Sequence, residues 1–366
     1  MVKIFDSFAP QNPKSRVMQE LLHITVEEHA SDLHLSVGQP PTLRVDGKLV
    51  PLAKRAPLTK EAMQELAASL LNEDQRAKLV EGREIDFSYM MNGGARFRGN
   101  AFFELGGLSI ALRLIPNKIQ TIEDLNLPSV LHQFTRASQG FVLIAGPSGH
   151  GKSTTLAALI DEINHTRGEH VITIEDPIEY IFEDDKSIID QREVGRDTKS
   201  FARALRATFR QDPDVIMVGE MRDLETIATA ITAAETGHLV FATLHTNSAS
   251  QTIHRIVDSF PPEQQGQIRS QLSGSLVGVI SQRLIPRIQG GLIPVCEVLM
   301  INSAAANLIR ENKVHELPLV IETSAEEGMI GLNRALASLV RVKEITLDNA
   351  LQYSLNPAEL RSLLRG

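Results

Sequence analysis

The sequence predicts an α/β protein with a mostly parallel sheet carrying helices on both faces, preceded by a smaller α+β domain. Three observations carry this. Residues 1–115 hold short alternating segments joined by hairpin signals. Beyond residue 128, short apolar runs alternate with helical stretches. Between one such run and a helix lies Gly146-Pro147-Ser148-Gly149-His150-Gly151-Lys152-Ser153, two glycines five apart followed by Lys and Ser.

Taken in order, residues 1–13 contain two prolines and read as a loose arm. Residues 15–28 read as a helix with Val17, Leu21 and Ile24 at helical spacing. Residues 31–35 alternate polar and apolar, as a strand does. Gly38-Gln39-Pro40-Pro41 is a turn, and Asp46-Gly47 between alternating segments is a hairpin signal. Thr59 starts a helix carrying Met63, Leu66 and Leu70, and a second helical piece begins near Asn72. Residues 85–89 and 95–103 alternate around Asn92-Gly93-Gly94, and 108–114 form a further strand. Residues 1–115 therefore make a small, mostly antiparallel domain. Residues 116–127 read as a linker, since Pro116 cannot continue a ladder and the following stretch is polar and turn-rich.

Residues 128–366 form the larger domain. Its strands are expected at 141–145, 171–174, 215–218 and 239–244, with helices between them. From about Ser259 the chain reads as helical, with apolar positions through 263–285. A short hairpin-like piece follows around Gly290-Gly291, then helices at 303–312, 328–342 and 346–364.

Composition narrows the function classes. At 366 residues the chain is long for one core. A net charge of −8 and only 4% aromatic residues offer little basic groove or stacking platform for nucleic acid. The single cysteine, Cys296, excludes an internal disulfide and a multi-cysteine zinc site, and fits a reducing compartment. No apolar run reaches the roughly 18 residues that span a bilayer. Residues 1–10 include Asp6 and no sustained apolar segment, so no signal peptide is expected, and the expectation is a cytosolic protein.

The glycine stretch fits the P-loop pattern at every required position, in strand, loop, helix context. Its glycines let the backbone N–H groups between Gly146 and Thr154, Pro147 having none, turn toward phosphate oxygens, and the helix N-terminus adds partial positive charge. Lys152 would reach the β- and γ-phosphates of ATP, and Ser153 would ligate Mg²⁺. Ligands of open parallel sheets sit beyond the carboxyl ends of the strands. Four predicted strands end there in suitable residues: the P-loop, Glu175-Asp176-Pro177, Gly219-Glu220, and His245. Glu220 is placed to hold Mg²⁺ through water and orient the attacking water; Glu175 is the other candidate for polarising it. Sequence alone does not separate general base from metal orienter. His238 and His245 bracket a strand spanning roughly 23 Å at about 3.3 Å per residue. They cannot both touch one γ-phosphate, so His245 is the phosphate sensor candidate and His238 organises the opposite end or meets another subunit. His150 contributes its backbone, with its side chain facing out. Charge on a transferring phosphoryl group calls for a further arginine, often supplied in trans. Arg83, Arg96, Arg98 and Arg113 are the small-domain candidates, and Arg96 and Arg98 share a strand face. Arg203, Arg206 and Arg210 lie on a predicted helix at 199–210.

Four segments resemble the Walker A, Asp box, Walker B and His box of secretion ATPases: the P-loop; Ile172-Thr173-Ile174-Glu175-Asp176-Pro177-Ile178-Glu179; residues 212–223 from Asp212-Pro213-Asp214 to Met221-Arg222-Asp223; and Thr236-Gly237-His238-Leu239 onward to His245-Thr246. Within that superfamily the chain resembles the PilT-type retraction motors of type IV pili, over nearly its whole length. The resemblance implies a RecA-like core, a PAS-like small domain and a homo-hexameric ring. It implies ATP bound between the domains, with arginines from the small domain. It also implies domain closure passed to an inner-membrane platform protein, from the cytoplasmic face and without insertion. Alternatives are an assembly-type pilus or type II secretion ATPase, a nucleic-acid motor with a RecA-like core, and a non-hydrolysing ring. This chain has Ser148 and His150 where the family usually has Thr and Ser. The family's late helix motif Ala-Ile-Arg-Asn-Leu-Ile-Arg-Glu appears as Ala304-Ala305-Ala306-Asn307-Leu308-Ile309-Arg310-Glu311, without its Ile and first Arg.

Overall fold

The computed structural model describes residues 13–45, 47–91, 94–115 and 118–365. Residues 1–12 of the arm read at 1–13, and Asp46, Asn92, Gly93, Pro116 and Asn117 of the turns and linker, lie outside the described residues; Pro13 begins a helix. The chain divides into two compact units, Met1–Lys118 and Ile119–Gly366.

The first unit runs α1 (Pro13–Glu27), β1 (Asp32–Ser36), β2 (Thr42–Val45), β3 (Lys48–Pro51), α2 (Lys60–Leu70), α3 (Glu73–Gly82), β4 (Glu84–Met90), β5 (Arg96–Glu104) and β6 (Gly107–Ile115). Thr59 caps α2 by accepting the Ala62 N–H, and Asn72 and Gln75 form a reciprocal capping box on α3. The strands make one antiparallel sheet in the order β3-β2-β1-β6-β5-β4. Side chains alternate across it. Leu33, Leu43 and Leu112 face a core shared with Met18 and Leu21 of α1 and Met63 and Leu66 of α2. Asp32, Arg44, Arg98 and Arg113 take the alternate positions.

The second unit opens with α4 (His132–Thr135), β7 (Gly140–Ala145), α5 (Lys152–Thr166), β8 (His170–Glu175), β9 (Ile188–Glu193), α6 (Phe201–Thr208), β10 (Val215–Val218), α7 (Leu224–Glu235) and β11 (Leu239–Leu244). It continues with α8 (Ala249–Asp258), α9 (Pro262–Ser275), β12 (Leu276–Pro286), β13 (Leu292–Met300), α10 (Ser303–Arg310), α11 (Leu317–Thr323), α12 (Leu332–Arg341), α13 (Leu347–Tyr353) and α14 (Pro357–Arg365). The sheet order is β13-β12-β7-β11-β10-β8-β9, parallel except for the β12–β13 hairpin. This is a RecA-like α/β core. The apolar runs read as strands are buried on both faces. Phe141 and Leu143 enter one core with α7, α8 and α9, while Val142 and Ile144 enter the other with α5.

The structure departs from the sequence reading in four places. Residues 276–285 are not helical: β12 fills the edge of β7, and its side chains reach three cores, with Val279, Ile280 and Ile285 each in a different one. Short apolar runs do not separate strand from helix by themselves. Residues 188–193 form an edge strand, which their polar character concealed. The helical stretch 346–364 is broken before Pro357, where proline ends the preceding turn. From Ile119 on, the stretch read as a linker belongs to the second unit, with Ile122 and Leu127 buried in its core. Among the described residues no helix is long and apolar enough to cross a membrane.

Candidate nucleotide site

The second unit's parallel strands end flush. Ala145 pairs with Leu244, and Val218 pairs with both Ala242 and Ile174. This register brings four chain segments to one sheet edge: the P-loop, Glu175, Glu220 and His245.

The P-loop has the backbone that its glycines permit. Gly146, Gly149 and Gly151 adopt φ of 148°, 76° and 78°. At Gly146 the loop also passes close to β12, where an added Cβ would lie 2.3 Å from the Gln282 carbonyl oxygen. Gln282 is buried and holds the loop at two further points. Its side-chain oxygen accepts from the Thr155 hydroxyl at 2.6 Å, and its amide donates to the His150 carbonyl at 2.9 Å. Lys152 begins α5 and folds back over the loop, donating to the carbonyls of Gly146 and Pro147 at 2.8 and 2.9 Å. Burial pulls its pKa down, and the charges of Glu220 and Glu179 push it back up.

His245 connects this lysine to the Walker B acid. Its Nδ1 lies 3.4 Å from both Lys152 Nζ and Ser148 Oγ, and its Nε2 lies 3.4 Å from Glu220 Oε2. An ammonium only donates and a carboxylate only accepts, so these partners select the tautomer with the proton on Nε2. Glu220 is ion-paired with Arg222 on its other oxygen. The turn carrying Glu220 is braced by β11: the Thr243 hydroxyl donates to the Gly219 carbonyl, and the Met221 N–H donates to the Thr243 carbonyl at 3.2 Å.

Glu175 sits in a different environment. It is buried, its Oε1 accepting from Thr173 Oγ1 at 2.7 Å and Gln191 Nε2 at 3.2 Å. Burial outweighs these bonds and raises its pKa to about 7. The two acids are thus dissimilar: burial favours the neutral form of one, and the other is paired with a cation.

Other candidates are placed as follows. His150 does not face outward; its Nδ1 accepts the Leu284 N–H at 2.9 Å, because β12 has a donor left over where β7 turns into the loop. His238 lies at the opposite end of β11, its Nδ1 against the Ala233 carbonyl at 2.9 Å and its ring edge-on to Phe209. Of the arginines on α6, Arg206 is ion-paired with Glu225. In the first unit, Arg83 ends α3 and lies over the Phe103 ring at 5.2 Å. Arg98 and Arg113 face each other across β5 and β6, and Arg113 faces Asp32 across β6 and β1. Asp32 takes Arg113 at 2.9 Å and Arg44 at 3.7 Å. Arg96 precedes Arg98 by two residues on the same face.

Sequence reasoning missed Gln282, Glu179 and the wall of the neighbouring cavity. That cavity, of about 320 Å³, opens beside Gly151, Thr154 and Thr155 and is lined by Gln120, Asp124, Gln282, Leu284 and Arg287 among others. Its walls come from the supposed linker and the mis-assigned strand, so no local signal marked it. Among the described residues no group of three or more His, Cys, Asp or Glu side chains could hold a metal by itself. Ser153 and Glu220 each carry a side-chain oxygen of the kind that Mg²⁺ prefers.

The family described as type II/IV secretion system protein matches residues 8–349. The chain belongs to this family, and it is of the PilT type. It is 47% identical over 338 residues to the type IV pilus retraction ATPase PilT of Pseudomonas aeruginosa, covering 92% of this chain and 98% of that protein. It is 45% identical to the twitching motility protein of Neisseria gonorrhoeae, covering 86% of this chain and 84% of that one. Among solved structures, the pilus retraction motor PilT with bound ADP superimposes with a TM-score of 0.89 at 49% identity, covering 94% of this chain and 98% of that one.

Proposed function

We propose that this chain is a Mg²⁺-dependent ATP hydrolase that powers type IV pilus retraction as a homo-hexameric ring at the cytoplasmic face of the inner membrane. The observation that carries this is the likeness to a retraction ATPase along nearly the whole of both chains. The 146–154 backbone cradles the phosphates, with the adjoining cavity open to the nucleoside. Ser153 and Glu220 would hold Mg²⁺, which when bound would supply positive charge to offset that of the phosphates. Lys152 leaves its loop carbonyls to meet the β- and γ-phosphates, and His245 reports that shift to Glu220, which orients the attacking water. Glu175, with a pKa of about 7, serves as proton acceptor. Arg96, Arg98 and Arg113 from the first unit stabilise the transferring phosphoryl group, and closure of the PAS-like domain on the core drives a platform protein in the membrane.

The test is steady-state ATP turnover of the purified chain. Lys152→Ala and Glu220→Gln are each expected to lose at least a hundredfold, the size seen for removal of one transition-state donor. Glu220→Gln should keep ATP affinity within a fewfold of wild type, and undiminished turnover in that variant removes Glu220 from the reaction.

A further inference from the structure

The register between β7 and β12 ends at the Ala145–Ser281 pair, because β7 leaves the sheet to form the phosphate loop. β12 runs on to Pro286 with an edge that has lost its neighbour. His150 takes up that edge: the middle of the loop hands its ring nitrogen to the Leu284 N–H at 2.9 Å, while the Gln282 amide takes the His150 carbonyl at 2.9 Å. The other side of the ring meets Tyr353, edge-on, with centroids 6.3 Å apart. Tyr353 is the last residue of α13, and its carbonyl accepts from Arg283 Nη1 at 2.8 Å. α13 is tied to β12 again where Asn349 donates to the Pro286 carbonyl at 3.1 Å. The Ala350 side chain of α13 lies in a core of its own with Leu336 of α12, Leu360 of α14 and Ile285 of β12.

We propose that His150 is a positioning residue that couples the phosphate loop to the C-terminal helical layer through Leu284 and Tyr353. A loop ordered around phosphates holds the ring still, and the ring holds the end of α13. By linkage, whatever fixes α13 also favours the nucleotide-bound loop. An Nδ1 that accepts an N–H must be unprotonated, and burial with the nearby charges of Arg283 and Lys152 holds the ring below the usual histidine range. The coupling rests on residues 146–153 being the phosphate loop.

Hydrogen exchange of residues 347–353, with and without saturating ADP, tests it on the full chain, with ADP affinity measured in parallel by calorimetry. ADP should slow exchange in wild type at least threefold. His150→Asn places an oxygen where Nδ1 stood and should keep the slowing; His150→Leu has the bulk without the acceptor and should lose it while still binding ADP. Tyr353→Leu cuts the path beyond the loop and should lose it too, and it carries the test if the leucine variant at 150 does not fold. Slowing that persists in ADP-saturated His150→Leu or Tyr353→Leu overturns the coupling, as does its absence in wild type. A wild-type chain that binds no ADP overturns the phosphate-loop assignment as well.

Discussion

Each side chain at the sheet edge is set by its immediate partners. Lys152, His245 and Glu220 form a line in which every contact has one donor and one acceptor, so a change at the lysine is felt at the acid. Glu175 is governed by burial instead. Its folded pKa of about 7 exceeds the ordinary 4.5, so the folded state keeps a proton that the unfolded chain has already released. That contribution to stability is full below pH about 4.5 and is lost as pH rises through 7, a loss of roughly 3 kcal/mol for this buried group. Thermal melts without nucleotide from pH 5 to 8 should therefore show Glu175→Gln gaining on wild type as pH rises; a gap independent of pH contradicts the raised pKa. The acids and the histidine were legible in the sequence because each follows an apolar strand, so the strand fixes its end of the sheet. Gln282 was not, since its proximity to the loop depends on chain folding and no local spacing announces it; Glu179 lay in the Asp-box segment without a role assigned to it. Gln282 is 127 residues from its partner Thr155.

The decisive element is the strand, loop, helix unit around residues 140–166, and its constraint is steric. Gly146 has a backbone φ of 148°, which side chains other than glycine rarely adopt, and β12 leaves no space for a Cβ. Gly146→Ala should push the loop off the Gln282 carbonyl. ADP affinity is expected to fall at least tenfold and the melting temperature to fall with it, since the clash is with backbone; calorimetry and a melt measure both. Elements buried on both faces, β7, β8, β10 and β11, were legible as continuous apolar runs. β12 was not, because Ser281-Gln282-Arg283 interrupts its apolar pattern to reach the loop and α13. The late helix shows the same interplay. Ala305, with Ile309 one of the two fully buried residues of α10, stands where the family's motif has Ile, so this departure lies in the core and not on the surface.

The whole chain consists of two units that carry complementary charge chemistry. The second gathers carboxylates and a lysine at a sheet edge. The first places Arg98 directly opposite Arg113, an arrangement that costs energy in a sheet and is offset there by Asp32. The trans role proposed for Arg96, Arg98 and Arg113 would bring this row to the γ-phosphate of a neighbouring subunit. The most direct test is ATP turnover per chain against protein concentration, with mass read on the same samples, for wild type and Arg98→Ala. The account predicts that specific activity rises together with a six-subunit species and that Arg98→Ala lowers turnover at least a hundredfold with ATP affinity nearly kept. Full activity from a monomer, independent of concentration, would contradict the ring and its shared sites.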